Sequence, residues 1–341
     1  MSTISVIIVN YNGRDELASA LGSVAAQIRP ALETIVVDNC SSDGSVDFVR
    51  RSFPSVQVIA LAENTGFAHG CNVGADNAQG DYLALLNSDA RADPLWLQEL
   101  GQALDADASV AAAVPKIYAA EPESRIEQVG AQFNNFGHCW SRGFNEVDVG
   151  QFDTPSEVPV LTGCSALIRR SALCGEPLFD RTFFMYYEEF ELSLRLRGRG
   201  GRILYVPSAV VHHRGMRSVN RATARPELFQ QFFSNRNRLK ILAKYYPASV
   251  LLRNVLPIAL SVLYWDAVFL FAMGPAHAWR AMRHQARYTW HGLRERSRVR
   301  DVKAERWLPW MTQLGVRDAL AVRRAHADRH KARVARRELT T

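Results

Sequence analysis

The chain has 341 residues, 48% hydrophobic and 22% charged, a composition that buries a sizeable core and excludes disordered or low-complexity classes. Its five cysteines (Cys40, Cys71, Cys139, Cys164, Cys174) are scattered without a C-x-x-C pair, which suggests neither a zinc site nor a disulfide framework and fits a reducing compartment. The net charge of +7 is concentrated at one end: residues 291–341 hold 14 Lys and Arg against 6 Asp and Glu, so the preceding 290 are close to neutral.

Met1 enters an apolar strand almost at once, without the basic start and cleavage site of a signal peptide, so the chain is expected to stay in the cytoplasm. Ser5–Val9 and Glu33–Val37 are short β-branched runs, each ending in polar turn residues. Between them Leu17, Leu21 and Val24 fall at helical spacing over 14–27. The strand–helix unit repeats through Val56–Leu61 and Tyr82–Leu86. Continuous apolar strands alternating with helices predict a parallel sheet covered on both faces, with ligands beyond the carboxyl ends of the strands. Residues 120–160 are irregular. An apolar strand is expected over 159–169, a loop running into a helix over 179–197, and a strand over 203–211 whose Pro207 suggests a sheet edge. A helix is expected over 226–246.

From 249 to 275 the character changes. Val255–Met273 is almost wholly apolar and nearly reaches the ~20 residues that span a bilayer, but Asp266 near its middle makes a clean span expensive. Aromatics and arginines follow, from Trp279 and Arg280 to Arg300. This combination suits an anchor in the interface of an anionic membrane, and not a nucleic-acid partner. A buried hairpin followed by a solvated basic helix is the alternative. Two regions result: 1–246, catalytic, and 247–341, a helical extension, apolar and then basic.

Four polar clusters carry candidate chemistry. Asp38 ends the second strand, where a carboxylate can accept the imide N–H of uracil or thymine, and the following turn offers helix N-terminal donors; equally, Ser42 or Asp43 can cap the next helix. Asn87-Ser88-Asp89 follows an apolar strand. Asp89, with Asn87, suits Mg²⁺ or Mn²⁺ bound against a diphosphate, or the segment is a turn with Asp93 as a cap. Glu188-Glu189-Phe190-Glu191 follows an aromatic run. Carboxylates crowded beside apolar rings have at least one pKa raised toward the range of a general base; the alternative is an acidic first helical turn with Arg195 and Arg197 as partners. His212 and His213 follow the last strand, where an imidazole can complete a metal shell and Arg214 and Arg217, near Ser218, can meet phosphate; such a pair can also be structural.

In order, the segments VIIVNYNG (6–13), VVDNCSSDGS (36–45), ENTGFAHGCNVG (63–74), LLNSDA (85–90), TGCSALIRR (162–170), FDRTFFMYYEEFELSLRLR (179–197) and YVPSAVVHHRG (205–215) resemble family 2 of the inverting glycosyltransferases, especially its rhamnosyltransferase-like branch. The resemblance implies the GT-A fold: an α/β, Rossmann-like, mostly parallel sheet flanked by helices, here with a C-terminal helical membrane-associating extension. It implies that Asn10 and Tyr11 line the nucleotide pocket, that Asp38 reads the base, and that Gly66, Phe67 and Asn72 close around the nucleoside. Asn87 and Ser88 would lie in the donor site, and Asp89 would be the metal ligand of the DxD-type motif, joined by His213 rather than His212. Glu189 stands where the base is expected, one methylene longer than the family's Asp, with Glu188 as understudy. Gly163 and Arg236 would lie on the acceptor side.

The implied activity is inverting transfer of a sugar from a nucleotide-sugar, dTDP-rhamnose first and a UDP-hexose second. The acceptor would be a lipid-linked saccharide or growing glycan, at the inner face of the cell membrane. A nucleotidyltransferase would want a Gly-rich, Lys-containing loop that NYNGRDE lacks. The Glu-for-Asp change invites a non-catalytic GT-A-fold binding or assembly protein, against which Asp38, Asp89 and His213 stand.

Overall fold

The computed structural model describes residues 1–120, 125–215, 223 and 225–314; Arg217, Ser218 and the basic tail from 315 lie outside them. Strand β1 (Ile4–Asn10) leads through α1 (Arg14–Ala25) to β2 (Glu33–Asp38), then α2 (Ser45–Ser52), β3 (Gln57–Ala60), α3 (Phe67–Asn77) and β4 (Tyr82–Leu86). β1 pairs in parallel with β2 and β4, and β2 with β3. Its side chains show why the run is apolar throughout. Val6 and Ile8 join Leu17 and Leu21 in the core on one face, while Ile7 joins Ala68 and Cys71 on the other.

The second half is less regular: β5 (Ala90–Ala92), α4 (Trp96–Ala106), β6 (Val110–Ala119), β7 (Ile126–Gln128), β8 (Ala131–Phe133), β9 (Cys139–Ser141), β10 (Ser156–Glu157), β11 (Ser165–Arg169), α5 (Glu188–Gly198) and β12 (Arg202–His213). The main sheet runs β10-β12-β6-β11-β4-β1-β2-β3, with β5 on β12 and β7 on β6. β11 lies antiparallel between β4 and β6. The strand expected from 159 begins only at Ser165, because Thr162–Cys164 bend at the sheet's functional edge. Pro207 does not mark a sheet edge, since β12 has neighbours on both sides. It falls instead where the β6 register slips between Val206 and Val210, so its missing N–H costs no regular ladder bond.

Four helices close the described chain: α6 (Pro226–Tyr245), α7 (Ala248–Arg253), α8 (Val255–Met273) and α9 (Pro275–Glu295). Beyond α9 the chain returns to the main core. Trp307 is fully buried, its ring 5.2 Å from that of Tyr246 and 6.1 Å from that of Phe133. The Thr312 N–H donates to the Phe133 carbonyl at 2.9 Å. Residues 299–314, beyond the expected division at residue 246, thus pack back onto the sheet core.

Candidate active site

The parallel register sets Asn10 beside Asp38 at the carboxyl edge. Asn10 Nδ2 donates to Asp38 Oδ1 (2.9 Å) and to Ser41 Oγ (3.2 Å), and the Ser41 N–H donates to Asp38 Oδ2 (2.8 Å). Each carboxylate oxygen keeps a lone pair for a further donor. Asn10 is fully buried and holds Asp38, its own Oδ1 without a partner among the described residues; Tyr11 follows, half-buried. Neither Ser42 nor Asp43 is the N-cap of α2: that position is Gly44, without a side-chain cap bond, and Asp43 Oδ1 accepts from the Ser45 N–H at 3.0 Å in the turn before the helix.

Asn39, absent from the sequence reading, ties this edge to the next loop. Its Nδ2 donates to the Gly66 carbonyl (3.0 Å) and its Oδ1 accepts from the Thr65 N–H (3.3 Å). Gly66 has φ +88°, and a Cβ there would stand 2.3 Å from the Phe184 carbonyl oxygen. Gly66→Ala should therefore cost at least ~1–3 kcal/mol in backbone strain alone, read as a lowered chemical-denaturation midpoint; an unchanged midpoint would contradict the close approach. Phe67 packs near Phe179, centroids 6.2 Å apart. Asn72 is tied to the backbone: its Oδ1 accepts from the Phe179 N–H (2.8 Å) and its Nδ2 donates to the Phe179 carbonyl (3.0 Å).

Pairing of β5 with β12 sets Ala90 opposite His213, which brings Asp89 and His213 together across 124 residues. His213 Nε2 lies 3.1 Å from Asp89 Oδ1 and 3.3 Å from Asn87 Nδ2; Ser88, between Asn87 and Asp89, is buried. Strand alternation turns His212 elsewhere, to Asp93 Oδ1 at 3.3 Å and onto the Tyr118 ring. His213 Nδ1 lies 2.9 Å from Glu127 Oε1. Glu127 escaped the sequence reading because it sits in an irregular stretch, and only the β7–β6–β12 pairing carries it to His213. Burial opposes charge on His213, but Cys164, Glu127 and Asp89 outweigh that and push the imidazole well above its ordinary range.

These residues fit a divalent cation. The raised pKa leaves a proton between Nε2 and Asp89 Oδ1, 3.1 Å apart; a divalent cation would take that proton's place, with Nδ1–H kept on Glu127. Among the described residues no three His, Cys, Asp or Glu side chains are grouped to hold a metal. The described residues would thus supply two ligands, with the remaining positions left to phosphate oxygens and water.

The second half of the site is the start of α5. Tyr186 and Tyr187 adopt φ of 67° and 71°. Asn237 of α6 fixes this turn by donating from Nδ2 to the carbonyls of Met185 (3.0 Å) and Tyr186 (2.7 Å). Burial pushes the Glu189 carboxyl up to about 7. Burial, with Glu189 beside it, holds Glu188 well above the carboxylate range, and its Oε2 has no partner among the described residues. Glu191 differs: burial works the other way, but Arg195 (3.3 Å) and Lys244 (3.1 Å) keep it low. The acidic-turn alternative therefore describes Glu191, not Glu189. Gly163 faces the candidate base, with room for a Cβ 3.7 Å from Glu189 Cδ. The next residue, Cys164, accepts the Asn87 N–H at 2.9 Å. One turn thus separates the base from the Asp89–His213 pair. Arg236, expected on the acceptor side, lies over the faces of Phe233 (4.6 Å) and Tyr288 (4.0 Å) and donates from Nε to Asn237 Oδ1 (3.0 Å), while its buried Nη2 has no partner among the described residues; the neighbouring Asn237 touches the base turn.

A mixed sheet with this order, flanked by helices and carrying its polar residues at the carboxyl edge, is the GT-A fold. Among solved structures, GalNAc-T7 with UDP, GalNAc and Mn²⁺ superposes with a TM-score of 0.57 at 19% identity, covering 73% of this chain and 49% of that one, a likeness of fold. Residues 5–174 match the family described as Glycosyl transferase family 2, and the chain belongs to that family. It is 26% identical over 244 residues to the N-acetylglucosaminyl-diphospho-decaprenol L-rhamnosyltransferase of Mycobacterium tuberculosis, covering 65% of this chain and 79% of that protein. It is 39% identical over 89 residues to the putative teichuronic acid biosynthesis glycosyltransferase TuaG of Bacillus subtilis, 25% of this chain but only 35% of that protein.

Proposed function

We propose that the chain is a metal-dependent inverting glycosyltransferase that moves a sugar from a nucleotide-sugar to a lipid-linked saccharide or growing cell-surface glycan. The observation that carries this reading is the placement of Glu189, its carboxyl raised to about 7, one turn away from Asp89 and His213 at the carboxyl edge of the sheet. Asp38, held by Asn10 and Ser41, offers the acceptor that a uracil or thymine imide needs. Asp89 and His213 would hold Mg²⁺ or Mn²⁺, which when bound neutralises the leaving diphosphate. Glu189 takes the proton of the acceptor hydroxyl as that oxygen attacks the anomeric carbon. The likeness to the mycobacterial rhamnosyltransferase supports dTDP-rhamnose as first donor, with a UDP-hexose second, and a diphospho-lipid acceptor. The reaction is placed at a membrane surface, a location that the exposed apolar and basic C-terminal helices support.

A thermal-shift screen of purified protein against UDP-, dTDP- and GDP-sugars, with and without Mn²⁺ or Mg²⁺, tests the reading. A metal-dependent shift for one nucleotide class is expected. A folded sample that no nucleotide shifts would bring forward the non-catalytic binding role.

Glu127 sharpens the metal assignment. If it orients His213, Glu127→Leu should weaken Mn²⁺ binding in the presence of the nucleotide by roughly 10–100-fold, while Glu127→Gln, which keeps an acceptor for Nδ1–H, should lose much less. Mn²⁺ titration followed by electron paramagnetic resonance measures this; equal affinities in all three proteins would remove Glu127 from the site.

A further inference from the structure

We infer that α8 and α9 form a hairpin that docks in the plane of an anionic membrane surface. Thirteen of the nineteen large hydrophobic side chains that are exposed among the described residues fall between Leu252 and Leu293. Leu263 is 64% exposed and Phe271 89%, and only 11% of the apolar window of α8 is buried. A core helix would show the reverse. α8 is two-sided: Phe269 packs with Ala278 and Ala281 of α9, while the opposite side is exposed among the described residues.

The charge pattern selects the partner. Between Val255 and Arg294 the only acid is Asp266, and it faces inward, accepting from Gln285 Nε2 at 3.3 Å. Gln285 is buried and accepts in turn from Asn235 of α6 at 3.1 Å. The next acid, Glu295, is occupied by Lys240 and Lys244. Exposed Arg280, Arg283, Arg287 and Arg294 remain, interleaved with Trp279 and Trp290, which are 61% and 60% exposed. Arginines beside exposed tryptophans and leucines match the headgroup region of an anionic leaflet. The same packing argues against a span. α8 is fastened to α9 and α9 to α6, so sinking α8 across the bilayer would drag the arginines into hydrocarbon.

Vesicle flotation with the full chain tests this without any turnover, so its result is separable from that of the glycosyl-transfer reading. The chain should float with vesicles of phosphatidylglycerol and phosphatidylcholine and stay down with phosphatidylcholine alone. Leu263→Asp with Phe271→Asp should weaken flotation on the order of 100-fold. Each of Arg280→Gln, Arg283→Gln and Arg287→Gln should weaken it about fivefold at low salt, all with unchanged melting. Flotation that ignores the Asp substitutions would overturn the inference. So would a wild-type chain that does not float but forms a dimer, by light scattering, that the Asp substitutions break; the face would then belong to a second copy.

Discussion

Glu189→Gln is expected to abolish sugar transfer, lowering kcat by roughly 10²–10⁴-fold, the range of a lost general base, while donor affinity stays unchanged. Gln keeps the shape and hydrogen-bonding reach of the side chain beside Gly163 and removes only the basic oxygen. Near-normal turnover would move the base elsewhere, with Glu188 the next residue to replace. The carboxyl's raised pKa of about 7 also dictates the pH profile. Because the value is raised, the proton is still bound below about 7, and the base is absent there. kcat/KM should thus fall tenfold for each pH unit below that point and level off above it. The stability consequence has its own sign. A carboxyl whose pKa is raised by burial is comfortable when protonated, so on this group's account the fold is favoured at acid pH and loses that advantage as pH rises through about 7.

Asp89→Ala should erase the metal-dependent part of nucleotide binding. The Asp89 and His213 atoms converge at 3.1 Å, and with one gone the remaining imidazole is a single neutral ligand, too few for a hard cation in water. Calorimetric titration of the nucleoside diphosphate in Mn²⁺ should then give the affinity seen in chelator, a loss of several kcal/mol if the cation neutralises the diphosphate as proposed. Identical titration curves for wild type and Asp89→Ala would place the cation somewhere else. Paired with Glu127→Leu, the substitution separates two failures: a site that is not a metal site, and a metal site that Glu127 does not orient.

How much of this was legible in the chain depends on whether the signal was local. The β1–α1–β2 alternation was, because strands buried on both faces read as continuous apolar runs and their ends as polar turns. The carboxyl edge followed from the parallel arrangement, and with it the neighbourhood of Asp38 and Asp89. His213 rather than His212 fits the alternation of faces along β12, which sends His212 to Asp93. What failed was what needs a partner strand to be visible. Pro207 looked like an edge residue because sequence shows no register slip. Glu127 looked like part of an irregular stretch until β7 lay against β6. The surroundings of Asn72 and Arg236, placed by resemblance, were equally invisible: the Asn72 amide meets the Phe179 backbone, and the Arg236 guanidinium meets two aromatic faces and Asn237.

The contact between the Tyr246 and Trp307 rings has a meaning for how the protein is made. The core holding Phe133 and Phe190 is finished by Trp307 and Met311, residues that leave the ribosome only after the whole α8–α9 hairpin has emerged. During synthesis the apolar hairpin is therefore in the open while the globule behind it still lacks its last tile, and domains fold in the order in which their parts appear. If the hairpin docks on lipid as inferred above, a membrane within reach at that moment would meet α8 before the fold is sealed, at the stage when unsatisfied apolar surface would otherwise invite aggregation.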